Sequence, residues 1–190
     1  MTRSDQGAAV VLGAAVSASA AVGLVIAAWS VVGPDHLLFP ALVSCLWFGA
    51  AAFVGPGLAT VLPQRWSIVS CAEVRWHRRL GVGRFDRVLE VVGWNRVVRA
   101  MRGGPDRPGR SGLPALQRHV QAAMAGHGAG AAVHVVVALA CLLVGATVSS
   151  GLTAAAGAVL HGWPVLLQRS TLARIQRISP ARPAGVGASP

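Results

Sequence analysis

HVVVALACLLVGATVSSGLTAAAGAVLHGWPVLLQR, running from His134 to Arg169, decides the fold. It holds no acid, lysine or arginine before its last residue. Two apolar runs share it, Gly128 to Val148 and Leu152 to Leu167. About 20 apolar residues in a helix cross the hydrocarbon of a bilayer, so the second run is short and spans with little tilt. Only Ser149-Ser150-Gly151 lies between them, which predicts a tight helical hairpin.

Upstream, Ala8 to Val32 and Leu37 to Leu62 are two more runs of spanning length. Ala18-Ser19-Ala20 imitates a signal-peptide cleavage site, but the apolar run continues through Trp29 to Val32. Its charged flank is Arg3 alone, offset by Asp5, so a retained helix is expected. In the second run Pro40 sits in the first turn, where proline is tolerated, whereas Gly55-Pro56-Gly57 is expected to kink or end the helix. The fold class is therefore all-α, an integral membrane helical bundle of about four transmembrane helices.

Composition agrees with this reading. Hydrophobic residues make up 54% of the 190 residues and charged ones 12%, against roughly a quarter charged in soluble domains. The charge is one-sided: 17 arginines and no lysine against six acids give +11. Arg3 precedes the first run, twelve arginines lie from Arg65 to Arg118, and Arg169, Arg174, Arg177 and Arg182 follow the fourth. With four spans every arginine falls on one side. The positive-inside rule then places both termini and the long loop in the cytoplasm, in a plasma-membrane protein. The three cysteines, Cys45, Cys71 and Cys141, are widely spaced with no CxxC pair, which speaks against a disulfide framework or zinc site.

The organisation expected is a pair of transmembrane helices over 1–62, a basic cytoplasmic interfacial segment over 63–126, a transmembrane hairpin over 127–169 and a basic tail over 170–190. From Trp94 to Arg102, Trp94, Val97, Val98 and Met101 share one helical face, and Asn95, Arg96, Arg99 and Arg102 the other, the pattern of an interfacial amphipathic helix. Gly103 to Gly112 is a turn-rich break. A second amphipathic stretch follows from Pro114, with Leu116, Val120 and Met124 on one stripe, and leads into the third span. The proline- and glycine-containing tail after Ser179 is expected to be disordered.

Two ionisable residues fall inside predicted spans. His134 lies about 9 Å and His161 about 10 Å from the cytoplasmic side at 1.5 Å per residue. Because their helices are neighbours, both imidazoles can meet at one depth, and polar groups in lipid face the bundle interior and often mark function. The remaining histidines, His36, His77, His119 and His127, are expected to be solvated. Glu73, Asp86 and Glu90 flank the basic stretch and are expected to balance arginines. No GxSxG elbow, P-loop or GxGxxG occurs. No metal site is expected. The arginine loop has few stacking aromatics, and its tryptophans suit a membrane interface better than nucleic acid.

The segment WHRRLGVGRFDRVLE, Trp76 to Glu90, resembles the cytoplasmic segment of the glycosyl-4,4'-diaponeurosporenoate acyltransferase family. That family carries a W-x-[RN]-[RK]-x-x-x-V-R-[RK]-W-K-[DH]-[RK] stretch there, a histidine at the start of a late span, which His134 matches, and a late span ending in N-x-P-x-x-x-x-Q-R-Y-N-R-x-R. Anchored on Gln168-Arg169, the last match continues to Arg174 and puts His161 on the asparagine's position. Phe85-Asp86 stand for Trp-Lys, Ser170-Thr171 for Tyr-Asn, and Pro164 is one place off. An acidic helix, E-T-x-R-A-E-L-x-H, reads GHGAGAAVH from Gly126 to His134, without its two acids and its arginine.

The resemblance implies transfer of a fatty acyl group to a sugar hydroxyl of a glycosylated carotenoid, late in carotenoid synthesis. A neutral His134 can take the hydroxyl proton as it attacks a thioester. Arg78, Arg79, Arg84 and Arg169 can hold the phosphates of an acyl-CoA donor. His161, Gln168 and Trp76 complete the expected binding or orienting set. No cofactor is expected beyond acyl-CoA or another acyl donor. The expected partners are the bilayer, the lipid-soluble acceptor and other carotenoid-pathway enzymes. The alternative reading is a non-catalytic membrane scaffold, favoured by the lost acids and by Ala/Gly-rich helices that pack closely.

Overall fold

A computed structural model describes residues 3–102 and 112–178, and every helix in it follows from the apolar runs or their flanks. The order is α1 (Arg3–Val31), α2 (Leu38–Val61), a short 3-10 turn (Gln64–Ser67), α3 (Cys71–Arg79), α4 (Val82–Val91), α5 (Trp94–Arg102), α6 (Leu113–Leu143), α7 (Thr147–Gly157), a wide turn (Ala158–Gly162) and α8 (Trp163–Ile178). α7, the wide turn and α8 run on as one helical rod. Four helical segments, Asp5–Val31, Leu38–Val61, Leu113–Leu143 and Thr147–Ile178, are long and apolar enough to cross a membrane. The tail after Ser179 and nearly all of the Gly103–Gly112 break lie outside the described residues.

Three expectations about helix bounds change. Gly55-Pro56-Gly57 does not end α2, which continues to Val61 with Pro56 inside it. The two glycines serve packing instead. A Cβ on Gly55 would strike the Ala122 carbonyl of α6, and one on Gly57 would strike Ala14 of α1, so backbones meet on both sides of the proline. The second change is at the third span. It does not begin near Gly128, because the amphipathic stretch from Pro114 is the first part of the continuous helix α6. Its stripe faces protein: Val120 packs with Leu172 and Ile175, and Leu116 joins them, while Met124 is fully buried.

The third change is the hairpin turn. Ser149-Ser150-Gly151 is helical, and the chain reverses at Val144–Ala146. Gly145, with φ 85°, takes the left-handed conformation that closes a helix. The Gly145 N–H reaches Leu142 O at 3.1 Å and the Ala146 N–H reaches Cys141 O at 2.9 Å, which satisfies two terminal carbonyls. The serines then bond or pack within the bundle; Ser150 Oγ donates to Ala138 O at 2.7 Å.

The bundle core groups Phe39, Val43 and Trp47 of α2 with Val137 and Cys141 of α6 and Ala21 and Val25 of α1. The small helices α3 and α4 pack against α8 at the end of the bundle where Arg169 lies, and α5 packs on α4. Ser70 caps α3 by accepting the Glu73 N–H at 3.2 Å. Phe85 of α4 stacks on Trp163 of α8 at 6.3 Å, and Trp163 Nε1 donates to Leu80 O at 3.3 Å. α5 forms over the expected residues, and its Trp94 ring lies 5.7 Å from that of Phe48. Phe48 stands roughly 20 Å along α2 from Val61 at 1.5 Å per residue, so the α4–α5 pair leans against the flank of the bundle.

Candidate functional site

His134 projects from α6 into the interior and is 1% exposed. Since α6 starts at Leu113, the ring is not close to that end: it lies about 31 Å along the helix from Leu113 and about 14 Å before Leu143. Its Nδ1 stands 2.8 Å from the Gly130 carbonyl. A carbonyl oxygen only accepts, so Nδ1 carries the hydrogen and Nε2 the lone pair. Nε2 faces Ser44 Oγ at 3.4 Å, but Ser44 donates at 2.7 Å to Pro40 O. The His134 lone pair is thus left available.

The second histidine is brought inward by a local defect. The Trp163 N–H reaches back five residues to the Ala158 carbonyl, forming a π-type turn, a feature common at functional sites. Pro164 explains it. Having no N–H, it leaves the Leu160 carbonyl without its helical partner, and that carbonyl faces the His127 ring. On this turn His161 is fully buried. Its ring fills the space that a Cβ on Gly130 would need, and His134 fills the space beside Gly157. Each helix gives up a side chain where the other inserts an imidazole. The two rings meet at 4.9 Å, tilted by 47°.

A third ring joins them. His127 Nδ1 lies 3.2 Å from His161 Nδ1, with ring centroids 5.4 Å apart. His127 was expected to be solvated near the interface; it is instead half-buried within the cluster, because α6 extends well below Gly128 and carries it two turns before His134 on one face. His77 also departs from expectation. It is buried between α3 and α8, with Nδ1 3.1 Å from Ser170 Oγ, and burial lowers its pKa. His36 and His119 are exposed. The His161 Nε2 atom is buried with no hydrogen-bond partner among the described residues.

Below the cluster, Arg169 ties α8 to the small helices. Its guanidinium pairs with Glu73 through Nε and, at 2.9 Å, through Nη2. It also donates to Trp66 O at 2.8 Å and Ile68 O at 3.1 Å. This side-chain bond to Arg169 holds the Glu73 carboxyl below its ordinary pKa. Glu73 therefore balances an arginine 96 positions away. Beside this clamp opens a cleft of about 520 Å³, lined by Pro63, Arg65, Trp66, Val165 and Arg169. The Trp66 indole, which lines this cleft, packs near Gly128, the neighbour of His127 in sequence.

The structure brings together His134 and His161, and sets the half-buried Gln168 and Arg169 about two turns beyond His161 on α8. It leaves the others apart. Trp76, Arg78, Arg79 and Arg84 are exposed on α3 and α4, with the Arg79 guanidinium 5.6 Å over the Trp76 ring. Sequence reasoning missed His127, Ser44, Gly130, Gly157 and Trp66. For His127 a signal existed, its seven-residue spacing from His134, which places both on one helix face.

Comparison with known proteins adds one match. Residues 59–180 fit the family described as glycosyl-4,4'-diaponeurosporenoate acyltransferase. No curated protein and no solved structure matches the chain. The matched residues cover most of the chain and contain α3 to α8, with the three clustered histidines and the Glu73–Arg169 clamp. The chain belongs to the glycosyl-4,4'-diaponeurosporenoate acyltransferase family, acyltransferases of carotenoid biosynthesis.

Proposed function

We propose that this protein transfers a fatty acyl group from an acyl-CoA thioester to a sugar hydroxyl of a glycosylated carotenoid or similar glycolipid, with His134 as general base. The observation that carries the reading is the state of His134: Nδ1–H held by the Gly130 carbonyl and an Nε2 lone pair that Ser44 does not use. An imidazole so fixed accepts a proton at Nε2 without first changing tautomer.

As the sugar oxygen attacks the thioester carbonyl, its proton moves to His134 Nε2. The C–S bond then breaks as the tetrahedral intermediate collapses, and His134 returns the proton to the departing sulfur, which leaves as the thiol. The Arg65 guanidinium, which has no hydrogen bond or ion pair among the described residues, lines the cleft and can hold donor phosphates, a role open also to Arg78, Arg79 and Arg84, exposed on α3 and α4. Arg169, committed to Glu73 and two carbonyls, orients the cleft wall. Both substrates are lipid-soluble in part, which suits a site within the bundle opening toward the headgroups. The arginine asymmetry supports a plasma-membrane protein with this face in the cytoplasm.

The test is a comparison of lipid extracts from a host that makes a glycosylated carotenoid, with and without this chain. Mass spectrometry should find new species heavier by one fatty acyl group. An unchanged profile with the chain inserted in the membrane would reject the reading.

A further inference from the structure

Val88, Val91, Val92 and Val97 stand exposed on the α4–α5 pair, Val91 at 88% and Val92 at 68%. Gly93, with φ 77°, turns the chain between the two helices. Val91 and Val92 are thus the apolar tip of a short helical hairpin, a poor surface to leave in water. The height of this tip along the bundle decides what surrounds it.

Two contacts fix that height. Trp94 of α5 meets Phe48 of α2 with ring centroids 5.7 Å apart, and Phe85 of α4 meets Trp163 of α8 at 6.3 Å. Phe48 lies about 15 Å along α2 from Leu38, and Trp163 about 24 Å along the α7–α8 rod from Thr147. Leu38 and Thr147 both stand at arginine-free ends of their helices. The hydrocarbon of a bilayer is about 30 Å thick, and helix tilt only shortens these distances along its normal. Both contacts therefore fall within the hydrocarbon, short of its boundary on the arginine side.

We infer that the α4–α5 pair is a wedge embedded in the arginine-side leaflet, its valine tip among acyl chains and its arginines on the phosphates of anionic phospholipids. This goes beyond an α5 that rests on the headgroups, because α4 is submerged with it. The wedge continues the outer surface of α2, where Phe48 and Phe53 are exposed. Within the pair Asn95 Nδ2 donates to Asp86 Oδ1 at 3.2 Å, the internal pairing that an apolar surround demands. Arg84, Arg87 and Arg96 are exposed, and such side chains reach a headgroup layer from a backbone below it. At that layer guanidinium favours anionic phosphates. A second copy of the chain would bring the same arginines against these, which argues for lipid over self-association. The wedge stands on geometry and charge and does not depend on acyl transfer.

The test uses the full chain, with Cys45 and Cys71 replaced by serine, in nanodiscs of phosphatidylcholine and phosphatidylglycerol. A fluorescent dye is attached at Val92→Cys or, as a shallow control, at Arg75→Cys on α3. Quenching is read with nitroxides on the acyl chain, with nitroxides on the headgroup, and with soluble iodide. The acyl-chain nitroxide should quench the Val92→Cys dye about twofold or more above the headgroup nitroxide, with the order reversed at the control. Spin-labelled phosphatidylglycerol should be held at the protein in preference to spin-labelled phosphatidylcholine. That preference should fall about twofold or more in Arg87→Gln/Arg96→Gln, with the Val92→Cys dye in the same variant showing that the hairpin is still in place. A Val92→Cys dye quenched first by iodide or by the headgroup nitroxide returns the pair to the surface and overturns the wedge. A dye shielded from lipid and water alike marks a protein partner instead and overturns it too. An unchanged lipid preference in the double variant overturns the assignment to anionic phosphates.

Discussion

The ring of His161 occupies the volume that a Cβ on Gly130 would fill. The exchange is mirrored one step along the same interface, where His134 lies over Gly157. Two imidazoles are thereby packed between α6 and the α7–α8 rod with no room for a methyl group. Gly130→Ala should push His161 off its position, cost about 1–3 kcal/mol through overpacking, and slow ester formation by about tenfold or more. Thermal unfolding in detergent and the initial rate measure the two effects. A Gly130→Ala protein with native stability and rate would show that the notch is not needed.

Pro164 sets the wide turn that carries His161. Pro164→Ala returns an N–H to the Leu160 carbonyl and allows an ordinary α-helical turn. The melting temperature should not fall, whereas ester formation should drop about tenfold as the ring loses its orientation. Loss of stability without loss of rate would contradict this role.

The Glu73–Arg169 pair joins α3 to α8 across a partly buried contact. Glu73→Gln or Arg169→Gln should each cost about 1–3 kcal/mol, because the partner is left with unsatisfied bonds. A double-mutant cycle should give a coupling of about 0.5–3 kcal/mol. Additive single losses would mean the pair is incidental.

Acid should weaken the same region in two stages. Burial keeps His77 neutral in the fold with a pKa below its ordinary 6.5. The unfolded chain then binds the extra proton first, so this contribution is present above that pH and is lost as pH falls below it. Glu73, held below its ordinary 4.5 by Arg169, contributes above that value and is lost on further acidification. The melting temperature should therefore decline below about pH 6.5 and again below about pH 4.5. His77→Gln should remove the first decline; an unchanged profile in that variant would exclude His77 as its source.

Much of this architecture was legible in the sequence, because apolar length and arginine asymmetry are one-dimensional signals. The four long helices and the amphipathic α5 follow from them directly. The hairpin turn was not. Gly145 lies inside an apolar run, while Ser149-Ser150-Gly151 has the composition of a loop. In a bundle interior those serines are accommodated as helix residues, as Ser150 bonding to Ala138 illustrates.

For the site, the meeting of His134 and His161 could be expected from depth, since their helices are sequence neighbours. His127 was hidden by the misplaced start of α6. Glu73 and Arg169 carry no shared period at all, so only the folded chain joins them. Gly130 and Gly157 looked like generic small residues, and their meaning lies in the ring that each one receives.

The central claim is that His134 supplies the base for acyl transfer. Its most direct test is the initial rate of labelled ester formation in nanodiscs by the wild-type chain and by His134→Gln, with folding checked by the melting temperature. A loss of general-base catalysis, about 100-fold or more, in a folded His134→Gln protein is the predicted result. A folded variant that turns over within about twofold of wild type would contradict it.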